Sequence, residues 1–172
     1  RVEDHRQWVV KRLEDLPTVE EMAAETGAMG KALQARLKAG KVSFYQGPVV
    51  FEGAAAAQLF AQLLPASLEG TPPSPRPGTS FEQLTRKGPR LKRRVLPTGW
   101  RVVDDPSTAG FAAQYQYDDD GVRAEPVELV RNGLVVDLLM SRVPRRDIRR
   151  SNGHARGDAA RLSAWAVKAS KG

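Results

Sequence analysis

Two acidic clusters hold the side chains best suited to chemistry: Asp104-Asp105 before Pro106, and Asp118-Asp119-Asp120 before Gly121. If these carboxylates converge at strand ends, they can bind a hard cation, which favours oxygen ligands, or the amino terminus of an extended peptide. Aspartate before proline or glycine is also an ordinary turn former, because the carboxylate bonds nearby backbone donors. Both readings stand at this point. Zinc is harder to hold: there is no cysteine, and with only His5 and His154 a self-contained centre needs both imidazoles or a carboxylate-heavy substitute. His154 reads as a lone surface histidine in a turn beside Gly153 and Arg156. Ser151 lies too close to His154 in sequence to form a nucleophile–base pair with it, and no Gly-x-Ser-x-Gly turn occurs, so an independent hydrolase lacks its parts.

The other chemical feature is positive charge. Lys and Arg number 27 against 20 Asp and Glu, a net charge of +7 that suits nucleic acid, acidic proteins or anionic lipid. The excess lies in two runs, one with Arg90, Arg93 and Arg94 and the other with Arg145, Arg146, Arg149 and Arg150. These are candidate anion contacts. No aromatic residues interleave with them, so solvated loops and strand ends explain the charge as well as a stacking site for nucleic acid does.

The elements that must position these groups follow from periodicity. The 172 residues, 41% of them hydrophobic, suffice for one sizeable core, and no run approaches the roughly 20 apolar residues that cross a bilayer. Arg1 to Val10 has neither the apolar centre nor the cleavage site of a secretion signal, which makes a soluble, cytoplasmic protein without a membrane role the expectation. The absence of an initiator methionine suggests an excised piece of a longer polypeptide.

Val9, Leu13 and Leu16 form a weak helical stripe closed by Pro17. Thr18 with Glu21 has the spacing of a capping box and opens a predicted helix with Met22, Thr26, Met29, Leu33 and Leu37 on one face and Gly40 as its stop. Gly27 and Gly30 either allow close packing there or weaken it by about 1 kcal/mol each. Val42 to Tyr45 and Val49 to Phe51, separated by Gly47-Pro48, are predicted as a strand pair or one interrupted strand, and Ala54 to Leu64 as a helix ended by Pro65. The proline-rich stretch 71–79 is an exposed loop, and Ser80 with Gln83 offers a second capping box. Beyond Trp100 the period changes to two: Phe111 to Tyr117 reads as a strand, and Asn132-Gly133 as the turn of a hairpin joining Val127–Arg131 to Leu134–Met140. Ala155 to Val167, with Ala159, Leu162 and Ala166 on one side, reads as a last helix. The predicted class is α+β: a helical arm over 1–40, then a domain over 41–172 with a mixed or antiparallel sheet and helices on one side.

The order of these pieces resembles the C-terminal domain of the TldD/PmbA family, the proteins named modulators of DNA gyrase and regarded as peptide-processing zinc metalloproteases. The carriers run from about Thr18 to Gly157: Val49-Val50-Phe51 with the alanine-rich helix, Ser80-Phe81, Val103-Asp104-Asp105-Pro106, Tyr117-Asp118-Asp119-Asp120-Gly121-Val122, Leu129-Val130-Arg131-Asn132-Gly133-Leu134, and Ser151-Asn152-Gly153-His154-Ala155-Arg156. Catalytic members carry a His-Glu-x-x-x-His helix whose imidazoles bind zinc while the glutamate serves as general base. Alignment on Leu68-Glu69-Gly70 puts Ala61, Gln62 and Ala66 at those places, where none of the needed groups is present.

The resemblance therefore implies the non-catalytic partner-subunit type of that family, PmbA/TldE. It implies a homodimer or a heterodimer with a TldD-like subunit, a peptide substrate, no cofactor of its own, and zinc in the partner. The alternative is a basic module that docks nucleic acid or gyrase through the two arginine runs.

Overall fold

The computed structural model describes residues 2–71, 88–109, 113–145 and 147–169. They fall into two compact units, Arg1–Val50 and Phe51–Gly172. The second capping box at Ser80 and Gln83, most of the proline-rich loop, and Arg146 lie outside the described residues.

In the first unit the weak stripe before Pro17 yields only a 3-10 turn, Leu13–Asp15, followed by helix α1, Val19–Lys38. The predicted capping box forms: the Glu21 N–H donates to Thr18 Oγ1 at 3.2 Å and the Thr18 N–H donates to Glu21 Oε2 at 2.8 Å. The helix ends just ahead of the expected Gly40, at an extended Ala39. Arg36 to Asp4 at 2.9 Å and Arg6 to Glu25 at 3.0 Å tie the preceding segment to α1. Met22, Met29 and Leu33 are half-buried, whereas Thr26 and Leu37 of the predicted face are exposed.

Neither Gly27 nor Gly30 has anything within 4 Å of the position a Cβ would take, so the glycines serve no close packing. Gly27→Ala is therefore expected to stabilise α1 by about 0.5–1 kcal/mol through reduced unfolded-state entropy, measurable as a higher thermal midpoint by circular dichroism.

Val42–Tyr45 and Val49–Phe51 form neither the predicted strand pair nor one interrupted strand. The segment is irregular, with Phe44 80% and Val50 81% exposed, and its turn is closed by the Tyr45 hydroxyl donating to Pro48 O at 3.0 Å. β-branched and aromatic residues favour strands only where a neighbouring strand or core receives them, and among the described residues no strand pairs with this segment.

The second unit opens with α2, Gly53–Leu63, and a short α3, Pro65–Leu68, with proline at the first turn where no N–H is required. Strands β1 (Trp100–Asp104), β2 (Val127–Arg131), β3 (Leu134–Val135) and β6 (Trp165–Ala169) form an antiparallel sheet in the order β3-β2-β1-β6. β4 (Ala155–Arg156) and β5 (Ala159–Ala160) form a separate small hairpin. Asn132 and Gly133, at φ 52° and 75°, make the predicted turn, and the Asn132 carboxamide oxygen accepts the Gly99 N–H at 2.7 Å. The returning arm leaves regular pairing after Val135, where Val136 and Asp137 both donate to Leu129 O.

Leu64 and Leu68, one helical turn apart, share a buried cluster with Val102, Leu129, Val130, Val135, Leu138, Leu139 and Met140. Phe60 packs partly against it, its ring 5.8 Å from that of Trp100. The α+β class is thus the observed one, with helices preceding the sheet.

Two further predictions are corrected. Residues 113–117 form no regular strand: Tyr115 N–H turns back to Pro106 O at 3.1 Å, and Tyr117 makes a lone bridge to Arg123. Ala155 to Val167 is not a helix. Gly157, at φ 59°, reverses the chain right after β4, aspartate side chains capture the N–H groups of Ala155 and Gly157, and Trp165 to Ala169 pair along β1. Tertiary partners outweigh the alanine spacing.

Candidate functional site

The end of β1, the turn after Tyr117 and the segment before β4 meet at one corner, and four of the five candidate aspartates work there. Asp104 closes β1 and is fully buried. Its Oδ2 accepts the Ser163 N–H at 2.8 Å and its Oδ1 the Ala164 N–H at 3.1 Å, so one carboxylate aligns the start of β6. Asp118 is also buried; Oδ1 accepts from Asp120 N at 3.0 Å and Val122 N at 2.8 Å, and Oδ2 from Ala155 N at 3.0 Å. Asp119 holds the far side of the same hairpin, accepting from Gly157 N at 2.6 Å and from Arg156 at 3.1 Å. Asp120 takes the Arg142 N–H at 2.9 Å.

Asp105 turns away and caps its own loop through Ser107; the Ser107 hydroxyl, donating to it, holds its carboxyl below the usual range. The carboxylates are thus spent on backbone donors. Among the described residues no three His, Cys, Asp or Glu side chains are grouped to hold a metal ion.

The corner contains a residue whose setting the sequence did not reveal. His154, expected on the surface, is wholly buried between Asn152 and β4. Its Nδ1 lies 2.9 Å from Asn152 O, and its Nε2 lies 3.7 Å from Asp104 Oδ1 with no hydrogen-bond partner. The Tyr115 ring meets the imidazole edge-on at 6.3 Å, the Tyr115 hydroxyl donates to Gly153 O at 3.1 Å, and the Arg156 guanidinium sits 3.6 Å over the Tyr115 ring. Burial pushes the Tyr115 hydroxyl up from its ordinary value, against the Ser163 side chain and Arg156. Asn152 completes the packing: its carboxamide accepts Met140 N at 2.8 Å and donates to Leu138 O at 2.9 Å. Spacing alone offered no signal for this cluster, because Asp104, Tyr115 and His154 are brought together by tertiary contacts.

The two arginine runs are used differently. Arg145 is only 8% exposed, donating to Gly70 O at 3.3 Å and Pro89 O at 2.9 Å while pairing with Asp147, whose carboxyl it holds below the usual range. That side chain is a structural tie. Arg94 donates to Asn132 O at 3.1 Å across the β2–β3 turn, and Arg150 approaches Glu125 at 3.9 Å. Arg93 and Arg149 are exposed, and Arg90 has interactions of its own.

Ala61 and Gln62 lie near the end of α2 and Ala66 in α3, all exposed. Ala61 borders a shallow apolar groove of about 510 Å³ between α2 and β6, with Phe60, Trp165 and Val167. A methyl group offers no lone pair and a carboxamide no proton acceptor of use at neutral pH, so these three side chains do not fit the zinc site of a His-Glu-x-x-x-His helix. No helix among the described residues is long and apolar enough to cross a membrane.

Comparison with known proteins places this architecture. Residues 45–170 match the PmbA/TldA metallopeptidase C-terminal domain. A metalloprotease PmbA of Escherichia coli O157:H7 is 25% identical over 155 residues, covering 90% of this chain and 32% of that protein. A metalloprotease of Methanothermobacter thermautotrophicus is 42% identical over 53 residues, 31% of this chain and 12% of that protein. The chain thus spans about a third of the Escherichia coli relative or less of the archaeal one. The crystal structure of a Thermotoga maritima MSB8 protein described as a modulator of a DNA gyrase superposes with a TM-score of 0.38 at 19% identity, over 42% of this chain and 17% of that one. With the domain match covering well over half of its residues, the chain belongs to the PmbA/TldA metallopeptidase C-terminal domain family.

Proposed function

We propose that this chain is a fragment or subunit of a metallopeptidase system that processes peptides, and that it contributes domain surface and not zinc chemistry. One observation carries the reading: a chain matched to a metallopeptidase domain over residues 45–170 has His5 and His154 as its only histidines, too far apart in sequence for a His-Glu-x-x-x-His helix. The zinc then belongs to a motif-bearing TldD-like partner, with which this subunit forms a dimer that takes an extended peptide. The site residues Asp104, Asp118 and Asp119 serve this role by fixing β4, β5 and β6, the strands that shape the corner.

The test is co-expression of the full-length gene with a His-Glu-x-x-x-His homologue from the same genome, followed by sizing and metal analysis. The expected result is co-elution as a stoichiometric, zinc-containing dimer whose peptide hydrolysis a chelator abolishes. Separate elution, or zinc-dependent cleavage by the purified chain alone, would overturn the reading.

A further inference from the structure

The sheet has an outer face besides the one that covers the core, and its register lays a row of cations across that face. Residues directly opposite on neighbouring strands project to the same side. Arg101 of β1 lies opposite Lys168 of β6, and both are exposed. Toward β2, Val102 pairs with Val130, so Arg101 and Arg131 both follow that pair on the side of the Asn132-Gly133 turn. Arg131 lies opposite Leu134, and Leu134 bridges Arg94 in the segment along the free edge of β3, where the Val135 N–H donates to Arg93 O at 2.9 Å. The row thus runs Arg94, Leu134, Arg131, Arg101, Lys168, over four strand spacings or about 19 Å.

One carboxylate serves these four cations. The β1–β2 register shifts next to Val102, which brings Glu128, opposite Val103, onto the same face as Arg131. Arg131 donates to Glu128 and Arg101 reaches it at 3.2 Å; together they hold its carboxyl below the usual range. Arg94 donates only to uncharged oxygens, of Leu96, Thr98 and Asn132, and no carboxylate among the described residues pairs with Lys168. Like charges placed opposite one another destabilise a sheet, so the row carries a cost that an anion from outside removes.

The face also indicates which anion. Glu128 shows that a carboxylate side chain fits between two of the guanidiniums. Half-buried Leu134, Val103 and Ala166 lie among the charges and offer apolar contact to the methylenes of a peptide. No aromatic residue stands in the row to stack a base, because Trp100 and Trp165 alternate to the other side, where Trp100 meets Phe60 and Trp165 lines the groove beside α2. About six residues of extended chain cover the row from end to end.

We propose that the outer face of the sheet, through Arg94, Arg131, Arg101 and Lys168, binds an acidic polypeptide segment laid across the strands. The site needs no metal and no second subunit, so it stands apart from the dimer and from the zinc of a partner.

The test is fluorescence anisotropy of the full chain with a labelled decapeptide of alternating glutamate and alanine, in about 50 mM salt, where screening is weak. The glutamine counterpart and a DNA hexanucleotide of equal charge serve as comparisons. Expected is binding of the glutamate peptide in preference to both, weakening as salt is added. Arg101→Gln with Lys168→Gln is expected to lower its affinity about tenfold, several-fold for each exposed pair. Arg123→Gln with Arg161→Gln removes the same charge from outside the row and is expected to change affinity less than about twofold. Glu128→Gln frees two guanidiniums and is expected to tighten binding several-fold. Absence of peptide binding, equal losses in the two double variants, weaker binding by Glu128→Gln, or tighter binding of the hexanucleotide than of the peptide overturns the proposal. None of these outcomes bears on co-elution with a zinc-bearing homologue, which tests the dimer separately.

Discussion

Asp118→Ala is expected to destabilise the second unit by about 3–4 kcal/mol, the sum of stranding several N–H donors at once. The carboxylate satisfies Asp120, Val122 and Ala155, at 3.0, 2.8 and 3.0 Å, and the Ala155 N–H sits in the buried part of the corner. Alanine leaves that donor without a partner and removes the link between the 118–122 turn and β4. Asp118→Asn keeps one oxygen but turns an amide donor toward other donors, and an intermediate loss is expected. Urea midpoints with an unchanged slope check both values, since a changed slope would signal altered compactness instead. A loss under about 1 kcal/mol for the alanine variant would show that water replaces the carboxylate, contrary to the burial seen here.

Gly153→Ala is expected to cost about 3–5 kcal/mol, combining a left-handed backbone with steric overlap. Gly153 has φ 76°, and a Cβ there would press into Arg123 O and C and into Ala124 Cα. These are backbone atoms that no rotamer change moves. Gly157 supplies the control: its φ is 59°, yet nothing lies within 4 Å of the corresponding Cβ. Gly157→Ala should therefore show only the conformational cost, about 1–2 kcal/mol. Thermal unfolding of the two variants side by side separates the contributions, and equal losses would refute the steric account. Because Gly153 immediately precedes His154, its variant should also displace the imidazole, visible as a changed Tyr115 environment in near-ultraviolet circular dichroism.

How legible the structure was depended on whether the cause was local. The Asn132-Gly133 turn could be read directly, because its two left-handed positions are a demand that adjacent residues meet by themselves. The start of α1 was equally plain, since the Thr18 and Glu21 caps act within one helical turn. The stretch Ala155 to Val167 was misread for the opposite reason. Alanines at helical spacing carry little information, and the decisive forces come from Asp118 and Asp119 about 37 residues earlier and from β1. Val42 to Phe51 shows the converse error, with sequence favourable for strands and, among the described residues, no strand to pair with.

At the site, the aspartates were found as residues; the turn-forming reading holds for Asp105 and for Oδ1 of Asp118, whereas Asp104, Asp119 and Asp120 reach donors far along the chain. Their joint service to one corner was not visible, nor was the burial of His154, because contacts between Asp104, Tyr115 and His154 leave no periodic trace in the chain. The family resemblance was legible through the order of several weak motifs, none of which carries it alone.

The placement of β6 beside β1 also bears on how the domain emerges during synthesis. β1 ends at Asp104 and its outer neighbour begins at Trp165, so one flank of a hydrogen-bonding ribbon leaves the ribosome long before the residues that will cover it. At ordinary elongation speeds that interval is roughly 3–12 s, ample for holding factors to engage the bare flank or for neighbouring nascent chains to pair with it. Of the four strands described in this sheet, β6 is thus the last to be translated, and it is the one that covers β1.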